Sequence, residues 1–415
     1  MPITIENLDV TRFFLAVAML LGAAHFLGYL FAKIRLPKVV GEIFGGLLLG
    51  PTLFGYFFPE LYNRIFLSEG NLLAIVYWFG LVLLMFTSGF ELERKFDRKD
   101  KKTIVWLVVG STIFPLLFGW FAASFFDLSW LAGAANNALA LKLIIVVSIA
   151  VTSIPVLSKI FIDLKIIKTR FAKIVLSTAT IHDVILWVFV AIATALAAGI
   201  SISVGTVSVH VGMSLAFFFI ALVLAPKLIR LVDNLRLYLV PKNYEAGFII
   251  SILLVFVVIA GYFDINVVFG AFLAGIVVGF IRNKKFHKAK VHIKEFSFAF
   301  FVPIYFAIVG IKLDLIRHLD LGFALLFFVF AFMAQGIGVI ITSKMLGYGW
   351  KTAANLAMTL NDRGGPGIVV ATLAFDFGII NESFFVTLVL LAILTSIITG
   401  SWLRYVLSKK WKLME

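Results

Sequence analysis

The sequence predicts an all-α polytopic membrane protein, on two observations. Of its 415 residues, 62% are hydrophobic and only 14% are charged, whereas an average soluble domain is about 45–50% apolar and about 25% charged. The apolar residues fall into 13 segments, each near the roughly 20 residues that cross the hydrocarbon layer of a bilayer. A soluble globular core, a disordered chain and a collagen-like fibre are therefore excluded.

Each apolar segment is expected to form one transmembrane helix. No connection between segments is long enough to fold separately, so residues 1–415 are predicted to form one transmembrane transporter domain without a soluble regulatory domain. The division between the eighth and ninth helices, near Asp264 and Asn266, is the least distinct. The expected helices are 11–32, 39–58, 71–90, 103–126, 141–161, 173–198, 206–229, 245–262, 264–281, 296–311, 319–343, 351–375 and 382–406.

Basic residues collect on one side of the predicted bundle. All but six of the 36 Lys and Arg residues fall on one side, in the connections that follow odd-numbered helices, at the helix ends that flank those connections, or in the C-terminal tail. The positive-inside rule therefore predicts a cell-membrane protein with its N-terminus outside and its C-terminus in the cytoplasm. This topology accounts for the net charge of +14 through membrane lipid head groups and without a nucleic-acid partner. The exceptions are Arg12, Arg64, Lys142, Lys312, Arg317 and Arg363.

Several kinds of chemistry are absent from the sequence. The chain has no cysteine, which excludes disulfides, thiolate metal sites and cysteine catalysis. It also lacks a dinucleotide-binding fingerprint, a phosphate-binding loop and zinc-ligand spacing. We therefore expect a protein that is not an enzyme, has no cofactor and takes its energy from an ion gradient.

Two predicted helices contain residues that interrupt a helix near mid-membrane. The fifth carries Thr152, Ser153 and Pro155, and the twelfth carries the run Asn361–Gly367 with Asp362, Arg363 and Gly364. Proline removes a backbone hydrogen bond and clashes with the preceding turn. Irregular backbone at this depth is tolerated where it lines a cavity or is buried in protein. For the fifth helix alone, a simple proline kink is the alternative.

The two interruptions occupy matching places. Each lies in the fifth helix of a six-helix half, residues 11–198 and 245–406, with 206–229 as a linker helix. Seven helices separate matching members, so the halves have opposite orientation. Interrupted helices at corresponding positions of inverted repeats point to a transporter's binding site near the bilayer midplane.

The sixth helix places a carboxyl group in this region. Asp183 lies about ten residues into an otherwise apolar segment, where a charge costs at least ~2.5–3.5 kcal/mol. It must be protonated, ion-bound or paired, and it can thus exchange a proton for a cation. Its neighbour His182 is expected to titrate together with it, so that apparent pKa values belong to the pair. Alternatively, His182 turns away and bonds a neighbouring helix.

In this order, the motifs resemble those of the monovalent cation:proton antiporters, in the branch with bacterial sodium/proton exchangers, glutathione-gated potassium efflux transporters and plant cation/proton exchangers. The resemblance covers nearly the whole chain. It rests on Leu36–Ile43 with Gly46–Pro51, Gly80–Phe86 with Gly89–Leu92, Thr152–Ser153 with Leu157, Asp163 and Leu164, Gly270–Gly275, and Pro303–Phe306 with Gly310.

The resemblance implies that the fifth and twelfth helices cross as unwound helices beside an essential Asp, a position that Asp183 occupies. It also implies a homodimer, with core helices at roughly 103–198 and 319–406 and a dimerisation panel from the rest. Two residues depart from the family pattern. His182 stands where Asp, Asn or Gln is usual, and Gln335 stands where the family often has Lys or Arg.

The function that this implies is exchange of H⁺ for Na⁺ or K⁺ by alternating access of an elevator-like core. Asp183 would be the shared site for the proton and the cation, with Thr152 and Ser153 as further oxygen ligands. Gln335, Asp362 and Arg363 would balance the charges of the helix ends. The alternatives are a sodium-coupled importer of a small organic anion, for which Arg363 is the obvious anion ligand, and a gated cation channel or non-transporting sensor.

Overall fold

The computed structural model describes residues 7–34, 36–67, 70–91, 98–198, 244–263, 265–281 and 284–414, with isolated positions between 212 and 227. This part of the chain is helical and contains no β-strand beyond the single bridge between Ala132 and Ile380. Ten helical segments of the described residues are long and apolar enough to cross a membrane, and three of them, Lys38–Phe57, Ala138–Asp163 and Phe286–Ile311, each join neighbouring helices. The predicted all-helical membrane architecture is therefore confirmed at this level.

The longer helices are numbered in chain order, and α4 includes a π-helical turn at Val109–Ile113. They are α1 (Asn7–Lys33), α2 (Lys38–Leu49), α3 (Gly70–Glu91), α4 (Lys101–Phe125), α5 (Ala138–Ala150), α6 (Ile154–Asp163), α7 (Arg170–Ala197), α8 (Glu245–Tyr262), α9 (Val267–Gly279), α10 (Lys284–Phe296), α11 (Val302–Ile311), α12 (Leu321–Met345), α13 (Trp350–Leu360), α14 (Gly364–Asp376) and α15 (Glu382–Ser408).

The seventh predicted helix, 206–229, lies largely outside the described residues, as does Asp264. The predicted second segment, 39–58, agrees with the apolar span Lys38–Phe57, whereas the predicted start of the tenth, at 296, was wrong. Within that span α2 ends at Leu49, because Gly50 and Pro51 interrupt it before a short helix at Phe54–Phe57. Residues 284–296, expected to be a charged connection, form α10. Their average hydropathy is low because α10 is amphipathic, and only a stripe that includes Phe286 and Ile293 is buried.

The chain divides into two compact units. The first comprises Met1–Glu91 and Ala216–His318, and the second comprises Leu92–Leu215 and Leu319–Glu415. In the first unit α2 packs closely on α11, since a Cβ on Gly310 would lie 2.9 Å from the Cα of Gly46. The second unit contains α4–α7 and α12–α15, and therefore both helix interruptions and the helix that carries Asp183.

Candidate functional site

The first interruption separates α5 from α6. Residues 151–153 lie outside both helices, and Ser153 caps α6 by accepting a hydrogen bond from the Val156 N–H at 3.4 Å. Pro155 lies in the first turn of α6, where its missing N–H has no intrahelical partner to lose. Pro155 therefore helps to begin a new helix and does not kink a continuous one.

The second interruption separates α13 from α14. The helix ends at Leu360, and α14 begins at Gly364, whose φ is +40°. This conformation is unfavourable for residues with a Cβ. A Cβ here would also lie 2.5 Å from Ser153 Oγ and 2.7 Å from Val156 Cγ2. Gly364 therefore permits both the turn and the close approach of the first interruption.

We expect Gly364→Ala to destabilise the protein by more than about 1–3 kcal/mol, because the left-handed backbone and the new contact with Ser153 add together. Gly347→Ala is the matched control, since Gly347 also has a positive φ, +84°, but no atom lies within 4 Å of its added Cβ. Melting curves of the two purified variants in detergent test this. Equal shifts would mean that the contact with Ser153 costs nothing.

The two interruptions meet each other. The Ser153 N–H donates to the Asp362 carbonyl oxygen at 2.6 Å, and the Thr152 hydroxyl donates to the Leu360 carbonyl oxygen at 2.7 Å. The ends of α5 and α13, which carry the partial negative charge of helix C-termini, thus lie together with the partly positive starts of α6 and α14. Such a point attracts small ions and requires charge compensation.

Gln335 of α12 links the two C-terminal ends. Its Nε2 lies 2.9 Å from the carbonyl oxygens of Ala150 and Leu360 and 3.0 Å from Thr152 Oγ1. These are the oxygens that a cationic side chain at this place would contact. The neutral amide therefore provides the hydrogen bonds and leaves the positive charge to another residue.

The positive charge near these helix ends belongs to Arg363, which is 1% exposed. Its five N–H donors all bond to neutral oxygens within 3.1 Å. Nε donates to the Ser148 carbonyl oxygen, Nη2 to those of Ile149 and Ala331, and Nη1 to the carbonyl and side-chain oxygens of Asn361. A full positive charge thus lies at the C-terminal end of α5, where a helix dipole favours it.

Asp362 is fully buried beside Arg363. Its Oδ1 lies 2.5 Å from the hydroxyl of Ser396 on α15, while Oδ2 has no hydrogen-bond partner among the described residues. The guanidinium of Arg363 donates to main-chain oxygens and to the Asn361 amide, and no described hydrogen bond or ion pair joins it to the Asp362 carboxyl group.

Asp183 and His182 lie on α7, which contacts α5, α6, α13 and α14. They are 5% and 0% exposed, respectively. Asp183 Oδ1 and both ring nitrogens of His182 lack hydrogen-bond partners in the described part of the chain. Thr178, one turn before His182, is equally buried and its hydroxyl is also unpartnered. This stretch of α7 therefore offers buried polar atoms that can take a proton or an ion.

The structure brings together Thr152, Ser153, Gln335, Asp362 and Arg363 by direct or shared contacts, and it places Asp183 in the same unit. Residues that the sequence did not single out also take part. The Ser396 hydroxyl hydrogen-bonds the Asp362 carboxyl group. Thr178 lies on the same helix face as His182, and its spacing of four residues from His182 could have identified it in the sequence. The main-chain acceptors Ser148 and Ala331 give no such signal.

Interrupted helices that meet within a bundle of apolar helices define a class, the polytopic membrane transporters. Within it, the chain belongs to the sodium/hydrogen exchanger family, whose transmembrane profile matches residues 18–409. The resemblance predicted from the sequence motifs is thereby confirmed.

Named relatives are antiporters. The chain is 28% identical to the Na⁺/H⁺ antiporter NhaS4 of Synechocystis, covering 92% of this chain and 94% of that one. It is 24% identical to the Na⁺/H⁺-K⁺ antiporter GerN of Bacillus cereus, covering 97% of this chain and 98% of that protein. It is 28% identical to the K⁺/H⁺ antiporter 1 of Saccharomyces cerevisiae, over 94% of this chain but only 46% of that protein.

The fold is also similar to a solved structure. The sodium proton antiporter MjNhaP1 of Methanocaldococcus jannaschii superposes with a TM-score of 0.66 over 95% of this chain and 97% of that one, at 14% sequence identity. At this identity the similarity supports the fold alone.

Proposed function

We propose that the chain is a secondary active antiporter that exchanges H⁺ for Na⁺ or K⁺, with Asp183 as a site shared by proton and cation. The supporting observation is the meeting of two interrupted helices in the unit that also holds this buried carboxyl group, whose Oδ1 has no described hydrogen-bond partner. Hard cations take several oxygen ligands. Thr152, Ser153 and main-chain carbonyls at the interruptions are available for this.

The division of the chain into two compact units supports alternating access. We propose that the second unit is the elevator-like core that carries the site across the membrane, and that the first is the panel. Purified protein in liposomes with an internal pH dye tests the exchange. A Na⁺ or K⁺ gradient should drive protons in the opposite direction, and the absence of proton movement with either cation would contradict the proposal.

The alternative of an organic-anion importer is disfavoured by Arg363. An imported carboxylate would need a buried cationic donor, yet all five N–H groups of this guanidinium bond to protein oxygens. The same liposome assay separates a channel from an antiporter, because a channel would pass the cation without moving protons against it.

The proposed location is a cell membrane, with the N-terminus outside and the basic C-terminal tail against cytoplasmic lipid head groups. This rests on the one-sided distribution of Lys and Arg. Asp183, His182 and the two interruptions would then act near the bilayer midplane.

We further propose a twofold homodimer that associates through the first unit, since twofold dimers are the commonest closed assemblies. The chain has no cysteine, so single cysteines can be introduced cleanly. Exposed apolar positions of the first unit, such as Phe26 and Val258, should include sites that cross-link in membranes, whereas Val329 of the second unit should not. Cross-linking through Val329, or a single chain by mass in lipid discs, would contradict the proposal.

A further inference from the structure

The second interruption hydrogen-bonds to one turn of α15. The Arg363 backbone N–H donates to the Thr395 hydroxyl oxygen at 3.2 Å, and the Ser396 hydroxyl lies 2.5 Å from Asp362 Oδ1. Thr395 and Ser396 are neighbours on α15, and Asp362 and Arg363 are the two residues just before α14. The start of α14 is therefore tied to α15.

The same face of α15 continues along α13. The Thr399 hydroxyl donates to the Met358 carbonyl oxygen at 2.8 Å, and Trp402 Nε1 donates to Asn355 Oδ1 at 3.1 Å. Thr395, Thr399 and Trp402 are spaced by four and three residues, which places them on one face of a helix. This row of hydrogen bonds runs from the second interruption to the middle of α13 and fixes the position of α13 along α15.

Asn355 also bonds to the segment that follows α15. Its side chain is fully buried, and Nδ2 lies 3.1 Å from the Leu413 carbonyl oxygen and 3.5 Å from that of Lys412. The Leu413 side chain is buried, whereas Trp411 is partly exposed and lies 5.2 Å from Lys351 Nζ, measured to the ring centre. Residues 411–413, called the latch below, thus dock on α13 through carbonyl oxygens and one buried side chain.

The turn that leads into the latch is strained. Lys410 has a φ of +55°, a conformation that is unfavourable for residues with a Cβ and that glycine commonly supplies after a helix. The Lys410 N–H donates to the Leu407 carbonyl oxygen at 2.9 Å, and the Trp411 N–H donates to that of Val406 at 3.1 Å. The contacts of the docked latch must offset this strain, so the latch is released more easily than it would be with glycine at this position.

The position of α13 bears on the ion site through Thr152. The Thr152 hydroxyl donates to the carbonyl oxygen of Leu360, the last residue of α13, at 2.7 Å, and its oxygen accepts from Gln335 Nε2 at 3.0 Å. A hydroxyl has one hydrogen and two lone pairs, so one lone pair of Thr152 remains for an ion. A shift of α13 moves the Leu360 carbonyl group and turns that lone pair.

We propose that Asn355 is a positioning residue for the ion site and that the latch controls it. With the latch docked, Asn355 and α15 hold α13 so that Leu360 orients Thr152 for a cation. With the latch released, α13 can shift and this orientation is lost. The inference rests on the proposed antiport with Thr152 as a cation ligand, and it adds a means of changing the cation affinity from outside the site.

The first test removes single hydrogen bonds between α15 and α13. Thr399→Val and Trp402→Phe each remove one donor and nearly keep the size of the side chain. The apparent KM for Na⁺ or K⁺ in liposomes should rise about twofold to tenfold, the range expected for one neutral hydrogen bond, with a maximal rate close to that of the wild type. The matched control is Thr387→Val, because this buried hydroxyl of α15 bonds its own helix at the Ser383 carbonyl oxygen, 2.9 Å away.

The second test releases the latch without changing α13 or α15. Leu413→Ser places a polar side chain at the buried position of the latch and should raise the apparent KM by a factor similar to that of Trp402→Phe. Independent effects would multiply in the double variant. Because both changes act through Asn355, Leu413→Ser combined with Trp402→Phe should raise KM no further than the larger single change.

The outcomes separate the two proposals. A wild-type protein with no cation-driven proton flux removes the antiport itself. Wild-type flux with an unchanged KM in Trp402→Phe and Leu413→Ser, even if both variants melt at lower temperatures, leaves the antiport standing and overturns the positioning role. Effects that multiply in the double variant, or an equal rise of KM in Thr387→Val, overturn it as well.

Discussion

Asp183→Asn should reduce cation-driven proton flux to the background of empty liposomes. The amide is nearly the same size as the carboxyl group, but it cannot release a proton or supply a full negative charge to a cation. Because Asp183 Oδ1 has no described hydrogen-bond partner, the substitution breaks no observed bond at this oxygen. The variant should therefore purify and melt like the wild type, or at a higher temperature, since a buried charge has been removed.

The matched control is Asp163→Asn, the same chemical change at the end of α6. The Asp163 side chain is 62% exposed and its pairing with Lys159 is long, at 3.7 Å, so its contribution to stability is small. Asp163→Asn should transport at the wild-type rate. Proton flux that survives in correctly folded Asp183→Asn would remove this residue from the centre of the exchange.

The positions of the helix interruptions could be predicted from the sequence because their causes are local. Pro155 and the run from Asn361 to Gly367 impose backbone conformations that a continuous helix cannot adopt. Asp183 was equally visible, because a carboxyl group within an apolar segment is costly wherever the helix packs. Each of these signals needs no knowledge of neighbouring helices.

The partners of Arg363 could not be predicted in this way. Its acceptors are mainly carbonyl oxygens, which every residue possesses, so Ser148, Ile149 and Ala331 give no signal in the sequence. Gln335 was recognised as a departure from the family pattern, but its consequence depends on Arg363 lying close by. That proximity follows from the crossing of the helices in space.

Ser396 was missed for a related reason. A serine in a transmembrane helix commonly bonds the carbonyl oxygen four residues earlier, and Ser396 does contact that of Ala392. Its second contact, with Asp362, arises only because α15 packs against α14. The amphipathic α10 shows the opposite limitation. Its charged residues give it a low mean hydropathy, although its apolar residues recur at the spacing of a helix.

Arg363→Gln should be the most destabilising single substitution at the crossing. It leaves the carbonyl oxygens of Ser148, Ile149 and Ala331 buried without their donor, at about 1–3 kcal/mol each. The apparent melting temperature in detergent should fall by about 5 °C or more.

Arg363→Lys separates charge from geometry. An ammonium group keeps the positive charge but has three donors on a single nitrogen, so it cannot reach acceptors spread around a planar guanidinium. We expect its melting temperature to lie between those of the wild type and Arg363→Gln. Arg317→Gln is the control, because that side chain is 80% exposed and its pairing with Asp314 is long, at 3.7 Å; its shift should be within about 1 °C. If Arg363→Gln melted like Arg317→Gln, the bonds of Arg363 to the helix ends would contribute nothing to stability. The crossing would then depend on Gln335 and on the contacts of Thr152 and Ser153 with the second interruption.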